Sequence, residues 1–503
     1  MATPGRPGHA KLNTELNQCE PTYQTLPDIA SNGRLEDGVL INLQVNSWYT
    51  ATSTGCTWAN DWGLQTVATP NYTVGGSTCA AFQLDPTGQN ASLPILGINL
   101  NDSQQRRCPT WTACPVGNNC CLAALTPSWG NGTAVAVRPD GTAFRYAMTG
   151  TTTVLKADGT PLRNVVDSAS SYVTTVMRLR DGTVWTIGDN QLGALGNGAT
   201  AKDSNVAVQV KIDPALGGGN LTGVEQVAQS AVSSPCARTT DGKVYCWGDD
   251  SANQIPDGAA LDFNTNRYAY LIPLGTAKAT QVVSGFKHAA AIMLDGTLRV
   301  WGGAPGKGAC DSPALTNAIC NPAPTLTDVI GVSAGDGFTC ILRVGGTVWC
   351  MGLQDNGRLG DGTAGVTGVV KTTFAQVKTG ASTYLTGVSQ IISSVSQTCA
   401  LSGTDGSVFC WGAGATGRVG STNTSKSAYA LPVQTAAGGT FTGFVKLDGA
   451  SGWKSGSNAF ILVCGRDANG VAWCWGDNMT FGIGDGTSIY ASTPKRNIKV
   501  DCP

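Results

Sequence analysis

A short phrase recurs along this chain and restricts the folds that it can adopt. Four copies hold two cysteines each, and they read CARTTDGKVYCWG from Cys236, CILRVGGTVWCMG from Cys340, CALSGTDGSVFCWG from Cys399 and CGRDANGVAWCWG from Cys464. Cysteine-free copies read VMRLRDGTVWTIG from Val176, AIMLDGTLRVWG after Ala290 and, more weakly, VAVRPDGTAFRYA from Val135. A phrase repeated at long, similar intervals is typical of propellers, solenoids and arrays. Proteins of these architectures mostly bind or assemble, and few of them catalyse reactions.

The phrase predicts a β-hairpin. Apolar and polar residues alternate on both sides of a central Asp-Gly, Gly-Gly or Asn-Gly, which is the strongest short-range hairpin signal. If Cys236 faces Cys246, a three-residue loop remains, and Gly242 occupies its left-handed position. The copy that starts at Cys399 predicts a longer loop, because its cysteines are one residue further apart. The same spacing gives the other facing pairs, which are Cys340 with Cys350, Cys464 with Cys474, Val176 with Thr186 and Ala290 with Val300.

The chain has 18 cysteines, and most of them are predicted to form disulfides. Free thiols in a core would not recur at facing strand positions in four units, and Cys310 and Cys320 close a loop between two units. The predicted bonds are Cys236–Cys246, Cys340–Cys350, Cys399–Cys410, Cys464–Cys474 and Cys310–Cys320. The pairing of the other eight stays open, since eight cysteines allow about a hundred connectivities; they are Cys19, Cys56, Cys79, Cys108, Cys114, Cys120, Cys121 and Cys502. Abundant disulfides indicate an oxidising compartment, so the protein is predicted to be secreted.

Further extended segments surround each hairpin. A short apolar stretch precedes it, such as VEQVAQS from Val224. A glycine-rich turn and another extended stretch follow most copies, such as VAVQVKI from Val206. Each unit is therefore predicted to contain four strands, with no convincing helix.

The unit resembles the repeat of the regulator of chromosome condensation family. The shared residues are an Asp-Gly or Asn-Gly turn and a Trp-Gly at the end of the next strand, found at Asp241-Gly242 with Trp247-Gly248, Asp405-Gly406 with Trp411-Gly412 and Asn469-Gly470 with Trp475-Gly476. The resemblance covers roughly Thr133 to Val500, and it departs at Ile187 and Met351, which replace the tryptophan. Members of that family form seven-bladed propellers, so the resemblance implies an all-β fold of seven four-stranded blades.

Two domains are predicted. Residues 1–130 form a small cysteine-rich β module with a flexible start, and residues 131–503 form the propeller. The last extended segment, STPKRNIKV from Ser492, has no hairpin after it, and it is predicted to supply the missing strand of the first blade and so close the ring. Residues 1–13 contain no apolar run of signal-peptide length, which predicts either a different precursor terminus or unconventional export.

The bulk composition argues against several classes of partner. Charged residues make up 13% of the chain and the net charge is −1, so the clustered Lys and Arg that bind nucleic acid or an anionic membrane are lacking. No stretch approaches the roughly 18 apolar residues of a membrane span. Asn-x-Ser/Thr sequons predict glycosylation of a secreted chain; they lie at Asn71, Asn90, Asn101, Asn131, Asn220, Asn423 and Asn478.

Catalytic motifs are weak. Residues 331–335 read GVSAG, the pattern of a serine-hydrolase elbow, but they lie in a predicted strand that leads into a hairpin, where an elbow needs a strand followed by a helix. The chain has two histidines, His9 and His288, and lacks the cysteine spacing of zinc knuckles. No catalytic residue, metal or cofactor is therefore predicted, and the protein is predicted not to be an enzyme.

These observations predict a non-enzymatic extracellular scaffold that binds another extracellular protein or copies of itself, with a surface coat or filament as its structural form. The alternative is a soluble recognition protein. One version resembles the propeller-type β-lactamase inhibitor proteins and would use aromatic residues on one set of loops, with Tyr268, Tyr270, Trp453 and Tyr490 as candidates. The other binds a glycan through Trp48, Trp58 and Trp62. Nucleotide exchange on a nuclear GTPase, which the resemblance also suggests, fits a disulfide-rich chain poorly.

Overall fold

The structure is a computed structural model, and it describes the chain in segments. These are residues 124–126, 134–137, 141–147, 150–171, 174–228, 234–257, 265–303, 310, 319–363, 368–413, 419–421, 426–455, 458–467, 471–478 and 483–498, together with six short strands between residues 10 and 80.

The chain divides into two compact units, residues 1–120 and residues 121–501. The first unit contains three antiparallel hairpins, in which β1 (Ala10–Asn13) pairs with β2 (Gln18–Pro21), β3 (Ser47–Thr52) with β4 (Gly55–Asn60), and β5 (Asn71–Val74) with β6 (Ser77–Ala80). The eight cysteines of open pairing and the three N-terminal tryptophans have their side chains outside the described residues.

The second unit is a propeller of seven antiparallel sheets, each built from consecutive strands. Blade 1 contains β7 (Ala124–Thr126), β8 (Ala134–Val137), β9 (Ala143–Ala147) and β10 (Gly150–Thr153); blade 2 contains β11 (Val165–Ser170), β12 (Thr174–Leu179), β13 (Val184–Asp189) and β14 (Asp203–Gln209); blade 3 contains β15 (Val224–Ala228), β16 (Cys236–Thr239), β17 (Val244–Asp249) and β18 (Thr265–Leu271).

Blade 4 contains β19 (Ala279–Ser284), β20 (His288–Met293) and β21 (Leu298–Gly302); blade 5 contains β22 (Val329–Ala334), β23 (Phe338–Arg343), β24 (Thr347–Leu353) and β25 (Val370–Gln376); blade 6 contains β26 (Val388–Ser393), β27 (Gln397–Ser402), β28 (Val408–Gly412) and β29 (Ser427–Pro432); blade 7 contains β30 (Phe444–Ser455), β31 (Asn458–Asp467), β32 (Ala472–Gly476) and β33 (Ala491–Arg496). In blade 4 the outer position is marked by Cys320, which pairs with Val300 through two backbone hydrogen bonds. The predicted all-β propeller is confirmed.

The second and third strands of every blade form the predicted hairpin. Cys236 lies directly opposite Cys246, and the amide of Gly242 donates to the carbonyl of Thr239 across the turn. Gly242 has a φ of +83°, the left-handed conformation that the three-residue loop requires. The other predicted pairs have the predicted register, including Cys399 with Cys410 across the longer loop. Each of the five predicted cysteine pairs is at bonding distance, and the four cross-strand pairs have Cα–Cα distances of 4.1 to 4.2 Å.

The core of the propeller lies between the blades. Each of the seven junctions between neighbouring blades is filled by one cluster of buried apolar side chains. Every blade is therefore apolar on both sides, and each sheet is stabilised by the sheets before and after it in the ring.

The prediction for ring closure is wrong. The strand β33 pairs with β32 inside blade 7, and it contributes no strand to blade 1. Blade 1 already has four strands, because the short segment β7 lies before the residue 131 at which the propeller was predicted to begin. The segment ALT of β7 is too short to be recognised as a strand, and so its role was assigned to the far end of the sequence.

Candidate interaction faces

The phrase's tryptophan holds neighbouring blades together. The indole nitrogens of Trp247, Trp301 and Trp411 donate to the carbonyl oxygens of Ala194, Gln254 and Arg358, at distances of 2.9 to 3.1 Å. In every case the acceptor lies in the turn between the third and fourth strands of the preceding blade, and the indole is fully buried. A buried indole N–H needs such a partner, so this contact, called the indole latch below, orients each blade on the previous one.

The ring closes through a different pair of side chains. Tyr146 of blade 1 occupies the tryptophan position of the phrase, is buried, and hydrogen bonds with the side chain of Asn497, which follows β33 of blade 7. Burial raises the pKa of Tyr146 above its ordinary value of 10, and the hydrogen bond with Asn497 partly opposes that rise. Sequence analysis missed this pair, although the alignment of VAVRPDGTAFRYA with the other copies places Tyr146 where they have tryptophan.

Glutamine side chains link the innermost strands. Gln226 exchanges two hydrogen bonds with the backbone of Val282 in the next blade, and Gln390 does the same with Leu447. Asp167 stands at the equivalent place in blade 2 and accepts from the amide of Val227. Burial raises the pKa of Asp167, and the positive charges of Arg178 and Lys446 and two backbone hydrogen bonds only partly oppose that rise.

Strand order gives the propeller two faces. The central hairpin turns and the connections from each outer strand to the next blade lie together on one end of the sheets, which we call the turn face. The connections between first and second strands, and between third and fourth strands, lie on the opposite end, the loop face. Some residues of these connections pack between the blades, such as Ala194 and Arg358, and the exposed ones are where binding residues of propellers lie.

Large apolar side chains are exposed unevenly on the two faces. Among the described residues, those exposed on the turn face are Leu155, Leu216, Leu294, Ile330, Val344, Tyr384, Val445 and Ile498, and those on the loop face are Leu192, Val369, Ile489 and Tyr490. Single exposed apolar residues need no explanation, but adjacent ones indicate a contact surface. Leu294, Ile330 and Val344 are adjacent, because all three line one open depression.

This depression lies on the turn face between blades 4 and 5, and we call it the blade 4–5 notch. It has a volume of about 460 Å³, and its floor is formed by Ile292, Met293 and Val329. Leu294, Ile330 and Val344 rise around it with 71%, 56% and 62% of their surfaces exposed.

The charges around the notch are fixed by short contacts. The carboxylate of Asp328 accepts from the guanidinium of Arg343 at 2.9 and 3.1 Å, so that the two charges neutralise each other. The carboxylate of Asp295 accepts from the hydroxyl and the amide of Thr297, and these hydrogen bonds hold the pKa of Asp295 below its ordinary value. Asp295 is therefore an ionised carboxylate at the edge of the notch.

The aromatic residues predicted for recognition do not form one surface. Tyr268 and Tyr270 lie on the outer strand of blade 3, where Tyr270 packs against the junction with blade 4. Tyr490 is exposed on the loop face of blade 7. Trp453 lies in β30, and its side chain is outside the described residues.

The sequons differ in accessibility. Asn478 is fully buried, and its amide nitrogen, the atom that a glycan would take, donates to the carbonyl oxygens of Thr487 and Ile489. The structure therefore contradicts a glycan at Asn478 in the folded protein. Asn220 is exposed on the turn face, on the connection from blade 2 to blade 3. Asn71 lies in β5 with its side chain undescribed, and Asn90, Asn101, Asn131 and Asn423 lie outside the described residues.

The residues weighed for catalysis have structural positions. Ser333 of the GVSAG segment lies within β22, which continues through a turn into β23. His288 is buried, and its Nε2 lies 2.9 Å from the hydroxyl of Thr339 in the next blade. In the described part of the chain, no three His, Cys, Asp or Glu side chains are placed to hold a metal ion. No described helix has the length and apolarity that crossing a bilayer would require.

Comparisons with known proteins agree with this architecture. Residues 236–254 and 329–358 match the family model of the regulator of chromosome condensation (RCC1) repeat. The chain is 27% identical over 323 residues to the human E3 ubiquitin-protein ligase HERC2, which covers 63% of this chain and 6% of the length of HERC2. Prp20p from Saccharomyces cerevisiae, studied for its binding to Gsp1p and histones, superposes with a TM-score of 0.53 at 17% identity, covering 75% of this chain and 87% of Prp20p. Human WBSCR16 also gives 0.53 at 17%, covering 69% and 83%.

The strand order and the paired cysteines define the second unit as a disulfide-bonded, seven-bladed β-propeller. Two segments of the chain match the regulator of chromosome condensation repeat, and its propeller has the fold of Prp20p.

Proposed function

We propose that this protein is a non-enzymatic extracellular scaffold whose turn face binds another extracellular protein or a second copy of the chain. The observation that carries the proposal is the concentration of exposed apolar side chains on the turn face, above all around the blade 4–5 notch. Water-exposed apolar side chains that lie side by side are stabilised when a partner covers them.

The extracellular location is supported by the cysteines. Four cross-strand pairs and the Cys310–Cys320 pair are at bonding distance, and disulfides persist in oxidising compartments. The exposed sequon at Asn220 is compatible with a glycan there. We therefore propose a secreted glycoprotein in which Asn220 is modified and Asn478 is not.

A protein partner is supported by the fold and by the surface charge. The related structure of Prp20p belongs to a protein with protein partners, Gsp1p and histones. This chain has a net charge of −1 and few charged residues, so the electrostatic attraction that dominates nucleic-acid binding is weak.

The experiment is negative-stain electron microscopy combined with sedimentation velocity on the native, unreduced protein. The expected result is either filaments or sheets that repeat at the size of one propeller, or isolated discs that bind one protein from the source's extracellular material. The comparison is the same chain with aspartate at two exposed turn-face positions, Leu216 and Ile330, which should assemble or bind less. Discs that stay monomeric at high concentration and bind no extracellular protein would contradict the proposal.

A further inference from the structure

We propose that the blade 4–5 notch binds a short extended segment of a partner protein, one in which a large apolar side chain is followed by a lysine or arginine. The proposal rests on the interaction role proposed above, and it specifies the surface and the chemistry of the partner.

The fold itself does not require apolar residues around the notch. Leu294 and Val344 occupy the first position of the hairpin turn, where other blades have Arg180 and Thr240. Ile330 stands at a β-bulge between Val329 and Gly331, where the register shifts and the extra residue points to solvent. Since the same positions accept charged and hydroxyl side chains in other blades, the three aliphatic residues contribute nothing that the sheets need.

The size of the apolar surface selects a short segment. Three aliphatic side chains exposed to this degree amount to roughly 300 Å². A stable contact between two globular surfaces needs about 800 Å² on each partner. The notch alone therefore cannot hold a second propeller, and its volume of about 460 Å³ fits one or two side chains of an extended peptide.

The negative charge at the edge of the notch favours a partner with a basic residue next to its apolar side chain. Asp295 is held ionised by Thr297, and the described structure gives it no salt bridge. Asp328 is neutralised by Arg343, whereas Arg299, which donates to the hydroxyl of Thr297, lies near Asp295 without a described salt bridge to it. Lys278, whose carbonyl oxygen accepts from the amide of Leu294, packs its Cβ beside Gly242 of blade 3. A lysine or arginine next to the apolar side chain of the partner would be attracted to Asp295.

The test is selection of a random twelve-residue peptide library on the immobilised, unreduced protein, followed by fluorescence anisotropy with synthetic copies of the enriched peptides. The variants are Ile330→Asp, Asp295→Asn and Val445→Asp. Val445 is the matched control, because it is an exposed aliphatic residue at the same bulge position in blade 7. All three residues are exposed, so the variants should fold, which equal melting temperatures would verify.

The expected peptides contain an apolar residue followed by Lys or Arg. Their binding should weaken by about tenfold or more in Ile330→Asp. It should weaken by roughly two- to fivefold in Asp295→Asn at low salt, and stay unchanged in Val445→Asp. Peptides that bind the Ile330→Asp variant as well as the original, or peptides without a basic residue, would overturn the proposal. So would Ile330→Asp abolishing self-association while no peptide binds. Assembly or partner binding that survives in Ile330→Asp would refute the proposed role of the notch, but it would not contradict the scaffold role.

Discussion

The junctions with a described indole latch differ from the junction into blade 5 and from the closing junction, where another residue replaces the tryptophan. Blades 3, 4 and 6 place a tryptophan on an acceptor in the turn of the preceding blade. Blade 5 has Met351 instead, and the blade before it carries the Cys310–Cys320 loop where others have the glycine-rich turn. In blade 5 the departure from the phrase accompanies an unusual connection in the preceding blade.

At the closing junction, between blades 7 and 1, two residues that face each other are replaced together. At the latched junctions the tryptophan packs with a valine or isoleucine that follows the outer strand of the preceding blade, such as Val377 beside Trp411. At the closing junction that position holds Asn497, and the tryptophan is replaced by Tyr146. One apolar pair with a backbone acceptor is replaced by a polar pair whose members bond each other. The two substitutions are explained only when they are considered together.

The largest expected effect comes from removing a latch. Replacing Trp411 with Ala should lower the free energy of unfolding by about 3 to 5 kcal/mol, because it leaves a cavity and an unpaired carbonyl at Arg358. Urea denaturation followed by circular dichroism would measure it. A loss below about 1 kcal/mol would show that the latch contributes little to holding blades 5 and 6 together.

Restoring the family residue at an unlatched junction should harm the protein. Met351→Trp brings the sequence closer to the repeat, yet Met351 is fully buried and the preceding blade lacks the usual turn. Overpacking should lower stability by about 1 to 3 kcal/mol, while Met351→Leu should stay within about 1 kcal/mol. The same denaturation experiment compares the two. A Met351→Trp protein that is more stable than the original would contradict the inference that a tryptophan at this position needs the usual turn in the preceding blade.

A smaller effect is expected at the closing junction. Tyr146→Phe keeps the ring in the core and removes the hydrogen bond with Asn497, which should cost about 1 kcal/mol. Together with the Asn497→Ala variant and the double variant, it completes a double-mutant cycle. Additive losses from the two single variants would mean that the residues do not act as a pair.

The smallest effect concerns pH. The pKa of Tyr146 is raised in the folded state, so the folded protein keeps this proton while the unfolded chain releases it above about pH 10. Stability should therefore decline as the pH rises through that range, and the decline should be shallower in Tyr146→Phe. Thermal unfolding between pH 8 and about pH 11, with Trp411→Phe as a variant lacking any change in titration, would show the difference. Parallel curves for the original protein and Tyr146→Phe would exclude this contribution.

Local sequence signals predicted the hairpins because hairpins are local structures, whereas the seven-bladed ring was implied by the resemblance to a known repeat family. The pairing of Cys236 with Cys246 follows from the positions of two cysteines and one glycine, and it needs no knowledge of the rest of the chain. The ring closure depends on Tyr146 and Asn497, which are far apart in sequence and each of which departs from the repeat. The burial of Asn478 was hidden for another reason. A sequon is defined by three residues, while the accessibility of its nitrogen depends on a turn that extends to Ile489.

The contiguity of the blades has a consequence for how the protein forms. Every sheet is complete as soon as its own stretch of chain exists, so the blades can pair in order as the polypeptide emerges from the ribosome. Blade 1 forms first among them, but its tyrosine waits for a partner that is made several hundred residues later. A nascent propeller is thus an open arc with apolar surface at both ends, and it becomes a ring only when blade 7 is complete and Asn497 has been made.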